Sequence, residues 1–215
     1  QARINNAYQI SKGDEVLPFV LLSTRHDGEG SVNVRFSLTR VVCQNTLNVA
    51  TKGGKPAYAI PHTGRPAERL RDAGLKTLTT LIHETMERAT SIFDRMRDHR
   101  MDDAAAVQFM EGIYSPPKSR EAGSTVPARG TSIWERVEDR LKAQAKGADP
   151  AGAGSLWGLY NAITFVEDQM AREAGQEGGD MSVALDRIWF GTAAERKLKA
   201  FQGAARLVGE AEASA

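Results

Sequence analysis

The sequence predicts an α+β protein: a small antiparallel sheet packed by a long helix, followed by a mostly helical C-terminal half. Three observations carry this. Val32, Val34, Phe36 and Leu38 alternate with Asn33, Arg35, Ser37 and Thr39, the period of a half-buried strand. From Arg65 the period changes, and Leu70, Leu78, Leu81, Ile82, Met86, Ala89, Ile92, Phe93 and Met96 follow the three-and-four spacing of an amphipathic helix. Behind it, stretches rich in Gly, Pro and Ser separate further helical stripes.

In chain order, EVLPFVLLST (15–24) is almost continuously apolar, as a strand covered on both faces would be, although Pro18 demotes it to an edge or a bulge. RHDGEG (25–30) is a turn with two glycines, so the two strand-like runs form a β-hairpin. After Arg40 the alternation stops. Gln44, Asn45 and Thr46 carry side chains suited to a helix start, which predicts strand, polar junction and short helix over 36–48. KGGKP (52–56) breaks that helix, and AYAIP (57–61) is a third extended segment. The long helix runs to about Arg100, with Leu78, Ile82, Met86 and Phe93 as its buried stripe against the sheet. Asp102 caps a second helix over 103–114, which Ser115-Pro116-Pro117 ends. Residues 118–130 are small and polar and read as a mobile loop. Thr131 or Ser132 caps a helix over 133–146, and 147–154 is a break. Leu156, Leu159, Tyr160, Ile163, Val166 and Met170 stripe a helix over 156–172, which residues 176–180 interrupt around Gly178-Gly179. A last helical region spans 183–211 with a joint at Gly191. The predicted organisation is an α+β core over 1–114, a linker or loop over 115–130 and a helical region over 131–215 packing on the core.

With 215 residues, 41% of them hydrophobic and 26% charged, the chain has the composition of a globular protein with one sizeable core or two apposed subdomains. It holds no apolar run near bilayer length, and Gln1 opens without a signal-like segment, so a cytoplasmic protein with no membrane partner is expected. The single cysteine excludes an internal disulfide framework and suits a reducing compartment. The net charge of +1 hides an asymmetry: residues 1–76 hold eleven Lys and Arg against six Asp and Glu, a balance of +5, which leaves −4 for the remainder. A basic front points to a polyanionic partner, because phosphates are met by Lys and Arg.

The candidate nucleic-acid-binding residues lie in that front. Arg25 and His26 sit at the hairpin tip, where Gly28 and Gly30 let a backbone approach closely. Arg35 and Arg40 lie on the alternating strand; only Arg35 has to face solvent for the alternation to hold. Lys52 and Lys55 flank Gly53-Gly54, a pattern without Walker A spacing, so no ATPase is read. His62, Arg65 and Arg69 surround the start of the long helix, where free backbone N–H groups favour anions. Cys43 with His26 or His62 could serve as a nucleophile and its base, but a lone cysteine beside Val42 reads more simply as a small buried hydrophobe. One cysteine and four scattered histidines lack the paired spacing of a zinc site, and no cofactor is expected. Trp157 and Tyr160 stand at core spacing, while Glu167-Asp168 and Glu135 with Glu138 and Asp139 read as solvated helix faces.

The block RVVCQNTL (40–47), with TRHDGEGS before it and IPHTG, LWGLYNAIT, IWFG and LKAF after it, resembles the phage and plasmid proteins grouped as the domain of unknown function 932 family. The resemblance implies no reaction; it implies a phage or plasmid setting in a host cytoplasm and a further N-terminal portion. The functional expectation is a non-enzymatic accessory protein binding single-stranded DNA in replication or recombination, with self-association into a homo-oligomer. The alternatives are a nucleic-acid- or nucleotide-processing enzyme using His26, Cys43 and His62, and a host-interaction scaffold using the helical half.

An inert buried thiol contributes packing and no reactivity. Cys43→Ala is therefore expected to lower the thermal midpoint modestly and to leave ligand binding unchanged, and native Cys43 should react slowly with a thiol reagent; fast modification would contradict this assignment.

Overall fold

The computed structural model describes residues 2–3, 7–11, 14–23, 31–40, 45–47, 58–61, 68, 75–114, 131–148 and 152–209. Strands β1 (Ala2–Arg3), β2 (Tyr8–Ser11), β3 (Asp14–Ser23), β4 (Ser31–Arg40), β5 (Asn45–Leu47) and β6 (Tyr58–Pro61) form one sheet in which each registered pair is antiparallel. The β3–β4 hairpin is its centre, in register from Val16 opposite Arg40 to Ser23 opposite Asn33. On the far flank of β3, β2 covers its start and β1 its second half; on the far flank of β4, β6 covers its start and β5 its end. Short strands laid end to end thus close both sides of one long hairpin, which limits the open backbone that a sheet edge would expose.

Two expectations are corrected here. β3 is a central strand despite Pro18. Between Arg3 opposite Phe19 and Tyr8 opposite Val16, neither β1 nor β2 registers a partner for Leu17 or Pro18, so the sheet accepts a residue without an N–H where that flank is interrupted. Asn45–Leu47 is a strand and not the start of a short helix: Leu47 stands opposite Leu38, Thr46 opposite Thr39 and Asn45 opposite Arg40. β6 reaches only as far as Val34, so the end of β4 offers unused backbone partners. Pairing there satisfies backbone groups at once, whereas a one-turn helix must bear the cost of nucleation.

Parity along β4 carries further than the apolar pattern suggests. Val34 and Leu38 are buried, and Arg40, two residues on, is buried with them at 0% exposure. Its charge is met by Asp14 at the start of β3: Nε donates to Oδ1 at 2.6 Å and Nη2 to Oδ2 at 2.7 Å, a two-pronged pairing of fully desolvated groups. Asp14 lies diagonally across the ladder from Arg40, whose direct neighbour is Val16.

The rest is helical. Helix α1 (Leu75–Asp98) buries Ala89, Ile92, Phe93 and Met96. Phe93 of the expected stripe is thus buried and Met86 half-buried, while the side chains of Leu78 and Ile82 lie outside the described set. Asp102 caps α2 (Asp103–Glu111) by accepting from the Ala105 N–H at 2.8 Å, and this helix stops at Gly112, ahead of the prolines. Helix α3 (Thr131–Ala143) widens into a π turn over Gln144–Ala148, broken by Gly147 at φ +96°. Ser155 caps α4 (Leu156–Glu177); α5 (Met181–Trp189) and α6 (Thr192–Leu207) follow, parted at Gly191. Together these elements make an α+β protein. Contacts divide the chain inside α1, into one unit of residues 1–93 with 211–215 and another of residues 94–210; the expected linker over 115–130 lies outside the described residues.

Within the helical unit α4 touches α3, α5 and α6. It is buried without interruption from Leu156 to Thr164. Two glycines let neighbours approach α4 closely: a Cβ on Gly158 would overlap the Gly152 carbonyl, and one on Gly175, further along the helix, would stand 2.8 Å from the Ala184 Cβ of α5.

Removing one partner of a buried ion pair strands the other charge. Asp14→Leu or Arg40→Met alone is expected to cost about 3–5 kcal/mol, and the double substitution to recover most of that loss. Urea denaturation of the four proteins measures both; a double variant as unstable as the sum of the singles would contradict the pairing.

Candidate functional site

Most residues nominated from the sequence lie outside the described set: Arg25, His26, Cys43, Lys52, Lys55, His62, Arg65 and Arg69. Arg35 is placed in β4 opposite Leu21, and its side chain is outside that set. Arg40 is corrected. A buried guanidinium already bound at two nitrogens by Asp14 cannot also meet a phosphate at the surface, so Arg40 belongs to the framework of the sheet. The sequence offered a signal for this, because position 40 has the parity of Val34 and Leu38.

The densest constellation of buried ionisable groups among the described residues lies in the helical unit, where α4 meets α6. Lys197 stands in the apolar stripe of α6 between Ala193, Ala194 and Ala200, Phe201, Ala204, and is 0% exposed. Its Nζ donates to Asp168 Oδ1 at 2.6 Å and to the Ile188 carbonyl at 3.2 Å. Ile188 is in the last turn of α5, whose terminal carbonyls lack helical donors, so the ammonium supplies both a hydrogen bond and a favourable charge at a helix C-terminus. Burial pulls the Lys197 pKa below the ordinary lysine range, with Asp168 drawing it back.

Beside this pair, Arg196 Nη1 donates to Glu167 Oε1 at 3.4 Å, and its guanidinium carbon lies 5.7 Å from the centre of the Tyr114 ring. Burial raises the Glu167 pKa above the usual carboxylate range, opposed first by Arg196. Tyr114 and Tyr160 are both pushed well above the normal phenol value by burial, with Glu167 adding to the first and Asp168 to the second. Trp157 and Tyr160 are core residues as expected, their rings 6.1 Å apart. Glu167 and Asp168, by contrast, are buried rather than solvated, at 3% and 1% exposure. The signal was again positional: Asp168 extends the run of Tyr160 and Thr164, and Lys197 interrupts a stripe of alanines. Enclosed as they are, Asp168 and Lys197 position α4, α5 and α6 against one another. Among the described residues no group of three or more His, Cys, Asp or Glu is placed to hold a metal ion.

The raised Glu167 pKa makes a signed prediction. In the pH range between its ordinary and its raised pKa the folded protein binds more protons at this site than the unfolded chain, so this residue's contribution to stability falls as pH rises through that window. Glu167→Gln removes the titration. The variant is expected to be more stable than the parent above the window, with the advantage shrinking as pH drops through it; urea midpoints across a pH series measure this, and a pH-independent difference would contradict it.

The model of the family described as Domain of unknown function (DUF932) matches residues 1–190. No curated protein and no solved structure matches the chain. The matched segment contains the sheet, α1 to α4 and α5, and stops short of α6. Since it spans most of the 215 residues, the chain belongs to the DUF932 family.

Proposed function

We propose that this chain is a non-enzymatic accessory protein of a phage or plasmid that binds single-stranded DNA through its basic first third. The observation supporting this reading is the charge balance of residues 1–76. Arg40 and Asp14 neutralise each other inside the sheet and leave ten basic residues against five acidic ones, so the excess of +5 survives the loss of Arg40 as a contact. Arg25, Arg35, Lys52, Lys55, Arg65 and Arg69, with His26 and His62, are the residues assigned to the strand. Phosphate contacts of this kind give affinity without base preference, as suits a protein that coats or escorts single strands during replication or recombination.

Counterion release makes the reading quantitative. Four phosphate contacts give a log–log salt slope of roughly −3 on single strands, about 0.7 per contact. In a salt titration of fluorescently labelled single-stranded DNA, Arg25→Ala and Lys55→Ala should each flatten the slope by roughly 0.7 and weaken binding equally on unrelated sequences. No binding at low salt would overturn the proposal, and losses that depend on sequence would mean that bases are being read.

A further inference from the structure

Helices α3 and α4 leave an open groove of about 380 Å³ between them, lined by Arg136, Arg140, Phe165, Val166, Gln169 and Glu173 among others. Its charges are not equally committed. Arg136 Nη1 donates to Glu173 Oε2 at 2.8 Å, and the other Glu173 oxygen accepts from Gln169 at 3.1 Å. Asp139, also in the lining, stands 3.6 Å from Lys142 on the same helix. Arg140 remains. Its guanidinium carbon lies 4.3 Å from the centre of the Phe165 ring, its Nε is shut away from water without an acceptor, and it makes no ion pair among the described residues.

A guanidinium held on an aromatic face has lost rotamer freedom in advance, and its terminal nitrogens form a rigid fork suited to two coplanar oxygens. Phe165, Val166 and Ala143 supply an apolar wall beside it. We infer that this groove is a binding site for a small organic anion, whose carboxylate or phosphate engages Arg140 while its apolar body rests against Phe165. Neither the family match nor the basic front assigns such a site, and the inference stands apart from the single-strand reading, since the groove lies in the helical unit.

The test uses phenylacetate and adenosine monophosphate as probes, which carry the two kinds of oxyanion on different apolar bodies. Binding is followed by NMR through the Arg140 Nε–H resonance and by titration calorimetry on the full chain. The expected result is a saturable shift of that resonance with at least one probe, and the probe that saturates it identifies the source of the anion. Loss of a charge-assisted, two-pronged contact carries a factor of roughly 10 or more. Arg140→Gln should therefore weaken binding by at least that factor, and Arg140→Lys, which keeps charge and stem but not the fork, should weaken it as well. Arg206→Gln, at an exposed position in the last turn of α6 and outside the groove lining, should bind as the parent does. Absence of saturation by either probe, or equal affinity in the parent and both Arg140 variants, would overturn the site.

Discussion

Enclosure of α4 is the constraint on which the helical unit depends. A helix covered from Leu156 to Thr164 cannot turn its polar residues to water, and several of their groups are met from inside. Asn161 Nδ2 donates to the Trp157 carbonyl at 2.7 Å, and the Thr164 hydroxyl donates to the Asn161 carbonyl at 3.1 Å. Asp168 cannot be satisfied by its own helix in this way, because its charge needs a cation, and Lys197 reaches it from α6. The same ammonium donates to Ile188, so one buried cation ties the end of α5 and the middle of α6 to α4.

The sheet meets the same problem with a different geometry. Along β4 the inward positions recur every second residue, and the last of them is an arginine. The hairpin brings Asp14 within reach because β3 begins just beyond the point where it faces Arg40. Short strands on both flanks then cover the hairpin. The interruption between β1 and β2 coincides with Pro18, whose missing N–H would weaken a continuous ladder.

What could be read in the sequence follows from this division. The alternation through Leu38, the helical stripes, the Asp102 cap, the Gly191 joint and the burial of Trp157 and Tyr160 were legible, because each rests on local period or local hydrogen bonding. Asn45–Leu47 was not, since its strand depends on where β6 stops along β4, a fact of tertiary structure. Arg40, Glu167, Asp168 and Lys197 were missed for a common reason. Hydropathy assigns a charge to the surface, and only the position of the residue within a periodic stripe tells against it. Of the nominated nucleic-acid contacts, Arg40 is settled as a structural residue, and its inward parity was present in the alternation already used to define the strand.

Buried ion pairs contribute little net stability compared with apolar residues of the same volume, so their worth here is better sought in specificity. A slip of one residue between β3 and β4 would turn Arg40 to the opposite face and strand Asp14. Rotating α6 so that Leu198 took the place of Lys197 would carry the ammonium off Asp168 and leave a carboxylate enclosed without a cation. Each pair thus adds an electrostatic penalty for misassembly to the one that apolar packing already imposes. The second pair also bears on which helices the helical unit needs. Asp168 lies inside the family-matched residues 1–190, but its cation lies beyond them. A chain stopping at residue 190 would lose both the cation that meets Asp168 and the helix that packs over this part of α4, so α6 is integral to the helical unit rather than an appendage to it.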